Sequence, residues 1–203
     1  MKKKDYGYLE IGTCDKTYKN LSTDYPDKIG ISVEPIKEYL DTLPSNEGRN
    51  IKVNAGISTK NGSQVINFAK DYKTKKLKTD ASGWKGRSSF KSLTKLNVKE
   101  KKRYIKRKVK VITLRSLFKK YSVGSIEVMR VDTEGYDGII INQLLDTRVR
   151  PKTITYEHLH LEKQELKDLR KRMRQDYRKL YTDKFDDKWR RKKKKYTKKR
   201  KRS

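Results

Sequence analysis

Short apolar segments separated by polar residues recur along the chain, and they predict β-strands. Each segment has the length of a strand and is rich in β-branched or aromatic residues. The six predicted strands cover residues 7–12, 28–34, 50–55, 108–112, 126–132 and 153–157.

Amphipathic segments lie between several of these strands and predict helices. They cover residues 35–43, with Pro35 suited to a first helical position, and residues 113–121 and 137–145. A further amphipathic helix is predicted over residues 161–181. Strands that alternate with helices indicate an α/β fold in which a mostly parallel sheet is flanked by helices.

Charge divides the chain into a folded part and a tail. Only 33% of the residues are hydrophobic, 39% are charged, and the formal net charge is +30. Residues 184–203 contain thirteen basic and two acidic residues, and such a run repels itself and buries little. We therefore predict one domain over residues 1–182 and a basic, disordered tail over residues 183–203. The surplus of positive charge favours nucleic acid or another polyanion as a partner of the tail.

Cysteine and histidine usage excludes several classes of site. The single Cys14 permits neither an intrachain disulfide nor a cysteine-rich zinc site, and it is typical of a reducing compartment. No apolar segment has the length of a secretory signal or a transmembrane helix. The expected location is intracellular, in the cytoplasm, with the nucleus or a virion as alternatives.

Acidic residues follow four of the predicted strands, although acids are scarce in this chain. They are Glu10, Glu34, the pair Asp132 and Glu134, and Glu157. In open α/β sheets ligands bind beyond the carboxyl ends of the strands, so these carboxylates are expected to converge on one site. The alternative is that individual acids cap helices or interact with helix dipoles.

The spacing of these acids favours a ligand that contains ribose. Glu34 follows Glu10 by 24 positions, close to the roughly 20-residue offset at which an acid binds ribose hydroxyls in nucleotide-binding units. The loop at residues 12–16 has one glycine, which disfavours a dinucleotide because a pyrophosphate needs close backbone approach at several glycines. S-adenosylmethionine has a ribose but no phosphate, and its sulfonium is compatible with carboxylates.

Short motifs at the predicted strands and helices form a recognisable series. They are Tyr8-Leu-Glu-Ile-Gly12, Ser32-Val-Glu-Pro35, Val53-Asn-Ala-Gly-Ile-Ser58, Thr113-Leu-Arg-Ser-Leu117, Arg130-Val-Asp-Thr-Glu-Gly135 and Ile154-Thr-Tyr-Glu157. Together they resemble the FkbM family of S-adenosylmethionine-dependent methyltransferases over roughly residues 5–165. The most specific is Arg130-Val-Asp-Thr-Glu-Gly135, which is similar to the family's Lys-Ile-Asp-Val-Glu-Gly.

The resemblance implies a Rossmann-like class I methyltransferase fold and methyl transfer to an oxygen, often a sugar hydroxyl. Lys16 stands where the family commonly has a second glycine, and Arg130 replaces the usual lysine. No terminal strand pair is recognisable after Glu157, so the final hairpin of the sheet is expected to be absent or altered. The residues that the resemblance implies for cofactor binding are Glu10, Gly12, Thr13, Asp15, Glu34, Pro35, Ala55 and Gly56.

Methyl transfer to a hydroxyl requires alignment and benefits from a base. The candidate catalytic residues are Asp132, Glu134, Glu157 and His158. One carboxylate could accept the proton, or Asp132 and Glu134 could hold a divalent metal ion that acidifies the hydroxyl. The alternatives are that His158 is structural, as is His160, and that Glu134 only shapes a turn.

Trp84 lies in a long polar segment between strands, where acceptor-binding loops are common. It could stack on a sugar or base of the acceptor, or anchor the loop by partial burial. The predicted function is S-adenosylmethionine-dependent O-methylation of a hydroxyl, with a sugar or glycan as acceptor. The alternatives are a nucleic-acid-binding protein on a methyltransferase scaffold and an RNA methyltransferase.

Overall fold

The computed structural model describes residues 2–69, 88–90, 101–102 and 104–193. Trp84 and the end of the basic tail, residues 194–203, lie outside the described residues. In chain order the elements are β1 (Lys4–Ile11), α1 (Leu21–Asp24), β2 (Gly30–Val33), α2 (Lys37–Leu40), β3 (Asn50–Val53), β4 (Gly56–Ile57), β5 (Gly62–Ala69), β6 (Tyr104–Ile112), α3 (Leu114–Lys120), β7 (Val123–Val131), α4 (Asp137–Leu145), β8 (Thr153–Glu157), α5 (Lys163–Asp176), β9 (Tyr177–Thr182) and β10 (Asp186–Arg191).

A seven-stranded sheet forms the centre of the molecule, in the order β3-β2-β1-β7-β8-β10-β9. The five strands from β3 to β8 pair in parallel, whereas β10 is antiparallel to both of its neighbours. The chain starts at β1 in the middle of the sheet and returns to its other side at β7, so the strand order reverses between these two strands. The predicted α/β fold with a mostly parallel, Rossmann-like sheet is confirmed.

A second sheet of three strands, in the order β4-β6-β5, lies on a smaller apolar cluster. All six predicted strands are present, but residues 108–112 belong to β6 and thus to this second sheet. β5, which pairs antiparallel with β6 along its whole length, was not predicted from the sequence. Alternate residues of the two strands, Ile66 with Phe68 and Val109 with Val111, are buried against Tyr39 of α2.

The terminal hairpin, which was expected to be absent or altered, is present. The helix predicted over residues 161–181 ends at Asp176, and β9 begins at the next residue. β10 lies between β8 and β9, so the boundary predicted at residue 182 is corrected: residues 186–191 are part of the sheet. Trp189 of β10 and Tyr177 of β9 are fully buried, which supplies the apolar contact that holds these basic strands in the core.

A buried carboxylate also fixes the hairpin. Asp187 of β10 is fully buried and accepts two hydrogen bonds from the Arg170 guanidinium of α5, at 2.6 and 2.8 Å. It accepts further hydrogen bonds from the hydroxyls of Tyr156 (3.0 Å) and Thr182 (2.6 Å). These four donors satisfy a charge that would otherwise be costly to bury, and they join α5 to β8, β9 and β10.

The longer helices pack beside one another, with α4 in contact with both α3 and α5. Leu117 of α3, Ile141 of α4 and Leu169 of α5 are buried in the main core with the central strands. Thr113 caps α3, since its side-chain oxygen accepts a hydrogen bond from the backbone N–H of Ser116. None of the helices in the described part of the chain is long and apolar enough to cross a membrane.

Candidate active site

A cleft of about 480 Å³ opens at the carboxyl ends of β1, β2 and β7, where the strand order reverses. This is the position at which open α/β sheets bind ligands, and the volume is in the usual range of roughly 300–1,000 Å³ for small-molecule sites. Of the predicted site residues, those that line the cleft are Glu10, Gly12, Thr13, Glu34, Pro35, Ala55, Gly56, Asp132 and Glu134.

The loop after β1 requires a glycine at its first position. Gly12 has φ +81°, and a Cβ atom there would lie 1.7 Å from the carbonyl oxygen of Asp132. Cys14 also adopts a positive φ, of 52°, whereas Lys16 does not, so lysine is tolerated where the family has a second glycine. Asp15 does not line the cleft; its carboxylate accepts hydrogen bonds from the backbone N–H and hydroxyl of Thr17.

Glu34 is placed where an acid can bind ribose. Its side chain is buried at the end of β2, and its two carboxylate oxygens accept hydrogen bonds from the backbone N–H groups of Cys14 (3.0 Å) and Ile36 (2.9 Å). Burial raises the pKa of Glu34 to about 7, and these two hydrogen bonds limit the rise. Each oxygen keeps a second lone pair, so the carboxylate can still accept hydrogen bonds from ligand hydroxyls.

Glu10 is held by protein groups on both of its oxygens. One accepts a hydrogen bond from the backbone N–H of Leu21 at 2.9 Å, and the other lies 3.1 Å from the guanidinium of Arg130. Burial raises the pKa of Glu10 to about 7, although the positive charge of Arg130 opposes the rise. Arg130, which departs from the family's lysine, also donates to the carbonyl oxygen of Lys19 and so ties β7 to the loop after β1.

The turn after β7 is organised by Asp137, which the sequence analysis did not select. Its buried carboxylate accepts hydrogen bonds from the backbone N–H groups of Thr133 (3.3 Å) and Gly135 (3.1 Å) and from the Thr133 hydroxyl (3.0 Å). Burial raises the pKa of Asp137 to about 6 against these hydrogen bonds. The sequence did contain a signal for this role, because Asp137 is the first residue of a predicted helix, and acids at helix starts commonly accept hydrogen bonds from nearby backbone N–H groups. The turn presents Glu134 at a positive φ of 53°.

Carboxylates crowd this side of the cleft. Asp132 is exposed at the cleft. Partial desolvation by the protein atoms around it, followed by the negative charges of Asp137 and Glu134, raises its pKa to about 7. Glu157 does not line the cleft. Its pKa is raised to about 9, mainly by burial and to a smaller extent by the negative charges of Asp132 and Glu134. Acidic side chains are therefore concentrated at one place in a strongly basic protein, and each one opposes the ionisation of its neighbours.

The two histidines have different surroundings. His158 does not line the cleft; its Nε2 lies 3.9 Å from the buried Asp187, and its backbone N–H donates to the carbonyl oxygen of Phe185. His160, which the sequence analysis treated as structural, has its Nε2 2.9 Å from Glu134 and 4.0 Å from Glu157. In the described part of the chain, one group of residues has ligand atoms that could share a metal ion: it consists of Glu134, Glu157 and His160, and Asp132 is not among them.

Aromatic and hairpin residues complete the cleft, and sequence reasoning missed them. Phe90 and Tyr136 line it with ring centroids 5.2 Å apart and provide an apolar wall together with Tyr39. Asp186 and Lys188 reach the cleft from β10, which was predicted to be tail. Only the pairing of β10 with β8 brings these two polar residues to the site.

One comparison with known proteins gives a match. A family model described as the methyltransferase FkbM domain matches residues 10–181. No curated protein and no solved structure matches the chain.

Proposed function

The chain belongs to the FkbM methyltransferase family, and from this premise we propose that it is an S-adenosylmethionine-dependent O-methyltransferase that acts on a sugar or glycan hydroxyl. The observation that carries the cofactor part is the buried Glu34 carboxylate in a cleft of about 480 Å³ at the reversal of strand order. A carboxylate there suits the two hydroxyls of a ribose.

Other features of the cleft fit the same cofactor. Phe90, Tyr136 and Tyr39 offer flat apolar surfaces suited to an adenine, with Ala55 and Gly56 at the end of β3 and the start of β4. The carboxylates beside the turn after β7 complement a sulfonium, since opposite charges attract strongly where water is excluded. When bound, S-adenosylmethionine supplies an electrophilic methyl group.

Asp132 is the proposed general base. It faces the cleft, and its pKa of about 7 lies near physiological pH, where a base combines adequate ionisation with sufficient proton affinity. The carboxylate accepts the proton of the acceptor hydroxyl while the oxygen takes the methyl group. The rest of the catalytic effect comes from holding the two reacting atoms in line.

The acceptor class rests on the family resemblance and on the polar groups at the cleft. Asp186 and Lys188 of β10 and Tyr181 of β9 line the same cleft and can exchange hydrogen bonds with several hydroxyls at once. A sugar offers many such hydroxyls. Transfer of radiolabelled methyl groups to a panel of oligosaccharides tests this part, and transfer to RNA alone would overturn it.

Calorimetric titration of S-adenosylmethionine and S-adenosylhomocysteine tests the cofactor part. Hydrogen bonds to charged groups contribute about 1.5–3 kcal/mol, so Glu34→Gln is expected to weaken both affinities roughly 10- to 150-fold. Glu47→Gln is the control, because the Glu47 side chain is 83% exposed and away from the cleft. Failure of the wild-type protein to bind either compound would overturn the proposal.

A further inference from the structure

Two carboxylates and one imidazole meet where β7 and β8 end. Glu134 is presented by the turn after β7, Glu157 is the last residue of β8, and His160 follows three residues later. Their ligand atoms all lie within 4.8 Å of one another, with His160 Nε2 2.9 Å from Glu134 and 4.0 Å from Glu157. Oxygen and nitrogen ligands about 2.1 Å from a common ion are separated by roughly 3–4 Å, so only small side-chain movements are needed.

A second observation concerns the Glu157 carboxylate itself. Its Oε2 atom is fully buried and accepts no hydrogen bond from the described residues. A buried carboxylate oxygen without a donor is costly, and a metal ion satisfies it as well as a donor would. The carboxylates of Asp132, Asp137 and Asp186 interact with Glu157 electrostatically and add negative charge around the same point.

We propose that Glu134, Glu157 and His160 bind one divalent metal ion of the Mn²⁺ type. Carboxylates alone favour Mg²⁺ or Ca²⁺, whereas an imidazole shifts the preference toward first-row transition metals. Three protein ligands leave other coordination positions open to water or substrate.

The position of the site connects it to the proposed methyl transfer, on which this part of the inference rests. Glu134 lines the cleft, whereas Glu157 does not, so the ion lies at the wall of the cleft rather than in its centre. An ion there can bind the acceptor hydroxyl and make it more acidic. The sequence suggested Asp132 and Glu134 as the metal ligands. In the proposal Glu134 keeps this role together with Glu157 and His160, and Asp132 faces the cleft as the base.

The test is titration of Mn²⁺ into the full chain after removal of metals with a chelator, followed by electron paramagnetic resonance of the free ion. We expect one tight site per chain and weaker binding of Mg²⁺. His160→Ala and Glu157→Gln should each weaken Mn²⁺ at least about 10-fold, because even residues that only orient metal ligands contribute roughly 10- to 100-fold. Glu162→Gln, an exposed acid two residues beyond His160, should leave the affinity unchanged.

His160 is exposed, so His160→Ala is expected to fold, and circular dichroism checks this directly. Absence of tight Mn²⁺ binding, equal affinity in wild type and His160→Ala, or Mg²⁺ bound as tightly as Mn²⁺ would each overturn the metal site. Titration of S-adenosylmethionine into the same samples separates the two proposals. Metal binding without cofactor binding would support the metal site and overturn the proposed function. Cofactor binding without metal binding would support the proposed function and overturn the metal site.

Discussion

Replacing Asp187 tests whether the buried carboxylate holds the terminal hairpin in the sheet. Asp187→Asn keeps the size of the side chain but removes its charge. It also replaces one acceptor oxygen with an NH2 group, which is itself a donor and faces donors on Arg170, Tyr156 and Thr182. Burial alone would raise the pKa of Asp187, yet the hydrogen bonds from Arg170 and Thr182 lower it below its usual value. The folded protein therefore favours the ionised carboxylate.

The magnitude follows from the geometry. Breaking a buried ion pair by removing one partner costs about 3–5 kcal/mol, and Arg170 retains some contact with water because its side chain is 22% exposed. We therefore expect a loss near the lower end, about 3 kcal/mol of unfolding free energy. For a domain of this size each kcal/mol lowers Tm by roughly 2–4 °C, so Tm should fall by roughly 6–12 °C.

Urea unfolding followed by circular dichroism measures the effect, with Asp168→Asn as the control on the exposed side of α5. The control should change stability by less than about 0.5 kcal/mol. Adding Arg170→Met to Asp187→Asn should cost much less than Arg170→Met alone, since the partner is already lost. A loss below about 1 kcal/mol for Asp187→Asn, or strict additivity of the two changes, would refute the reasoning.

Three further predictions concern the cofactor side of the cleft. Because the pKa of Glu34 is about 7 and ribose hydroxyls donate to its ionised form, the affinity for S-adenosylhomocysteine, which has the ribose but no sulfonium for Asp132 to attract, should fall about tenfold from pH 8 to pH 6, and this decrease should be absent in Glu34→Gln. The unfolding free energy of the protein without ligand should instead decrease as the pH rises from 4.5 to 7, and urea unfolding measures this. The reason is that the unfolded chain loses the Glu34 proton near pH 4.5, whereas the folded protein keeps it up to about pH 7. Gly12→Ala should destabilise the protein by about 2–4 kcal/mol in the same assay, because backbone strain at φ +81° adds to the clash with Asp132. Gly48→Ala, with φ +83° and open space around its Cβ position, should cost only the strain of about 1–2 kcal/mol, and equal losses in the two variants would contradict the clash.

The elements that the sequence predicted well are those in which the local pattern and the final environment agree. β8 and α4 occupy the predicted residues, because the apolar positions of residues 153–157 alternate and those of residues 137–145 recur at helical spacing. The acids at strand ends were identified for a similar reason: a parallel sheet places the residues after its strands at one edge. Glu10, Glu34 and Asp132 therefore meet at the cleft as expected.

The terminal hairpin could not be recognised from its own residues. β9 has one buried residue, Tyr177, and β10 has two, Asp187 and Trp189. The other positions include many basic residues, and a run of basic residues is typical of a disordered tail. Their stability depends on contacts with α5 and β8. The pairing of β10 with β8 places β10 between β8 and β9, out of sequence order, and the pattern within either strand does not indicate this. Asp186 and Lys188 reach the cleft through the same pairing, so they were missed as well.

By itself the sequence determined the α/β class, the central strands, the position of the cleft and the acid at the end of β2, because the periodicity of a strand and the residues that follow it are local properties of the chain. The tertiary structure alone decided the partners of each charge. It placed Asp187 in a buried ion pair, oriented the turn after β7 through Asp137, and brought His160 to Glu134 rather than His158 to the cleft. Desolvation and hydrogen bonding depend on which distant side chains surround a group, and no local pattern specifies them.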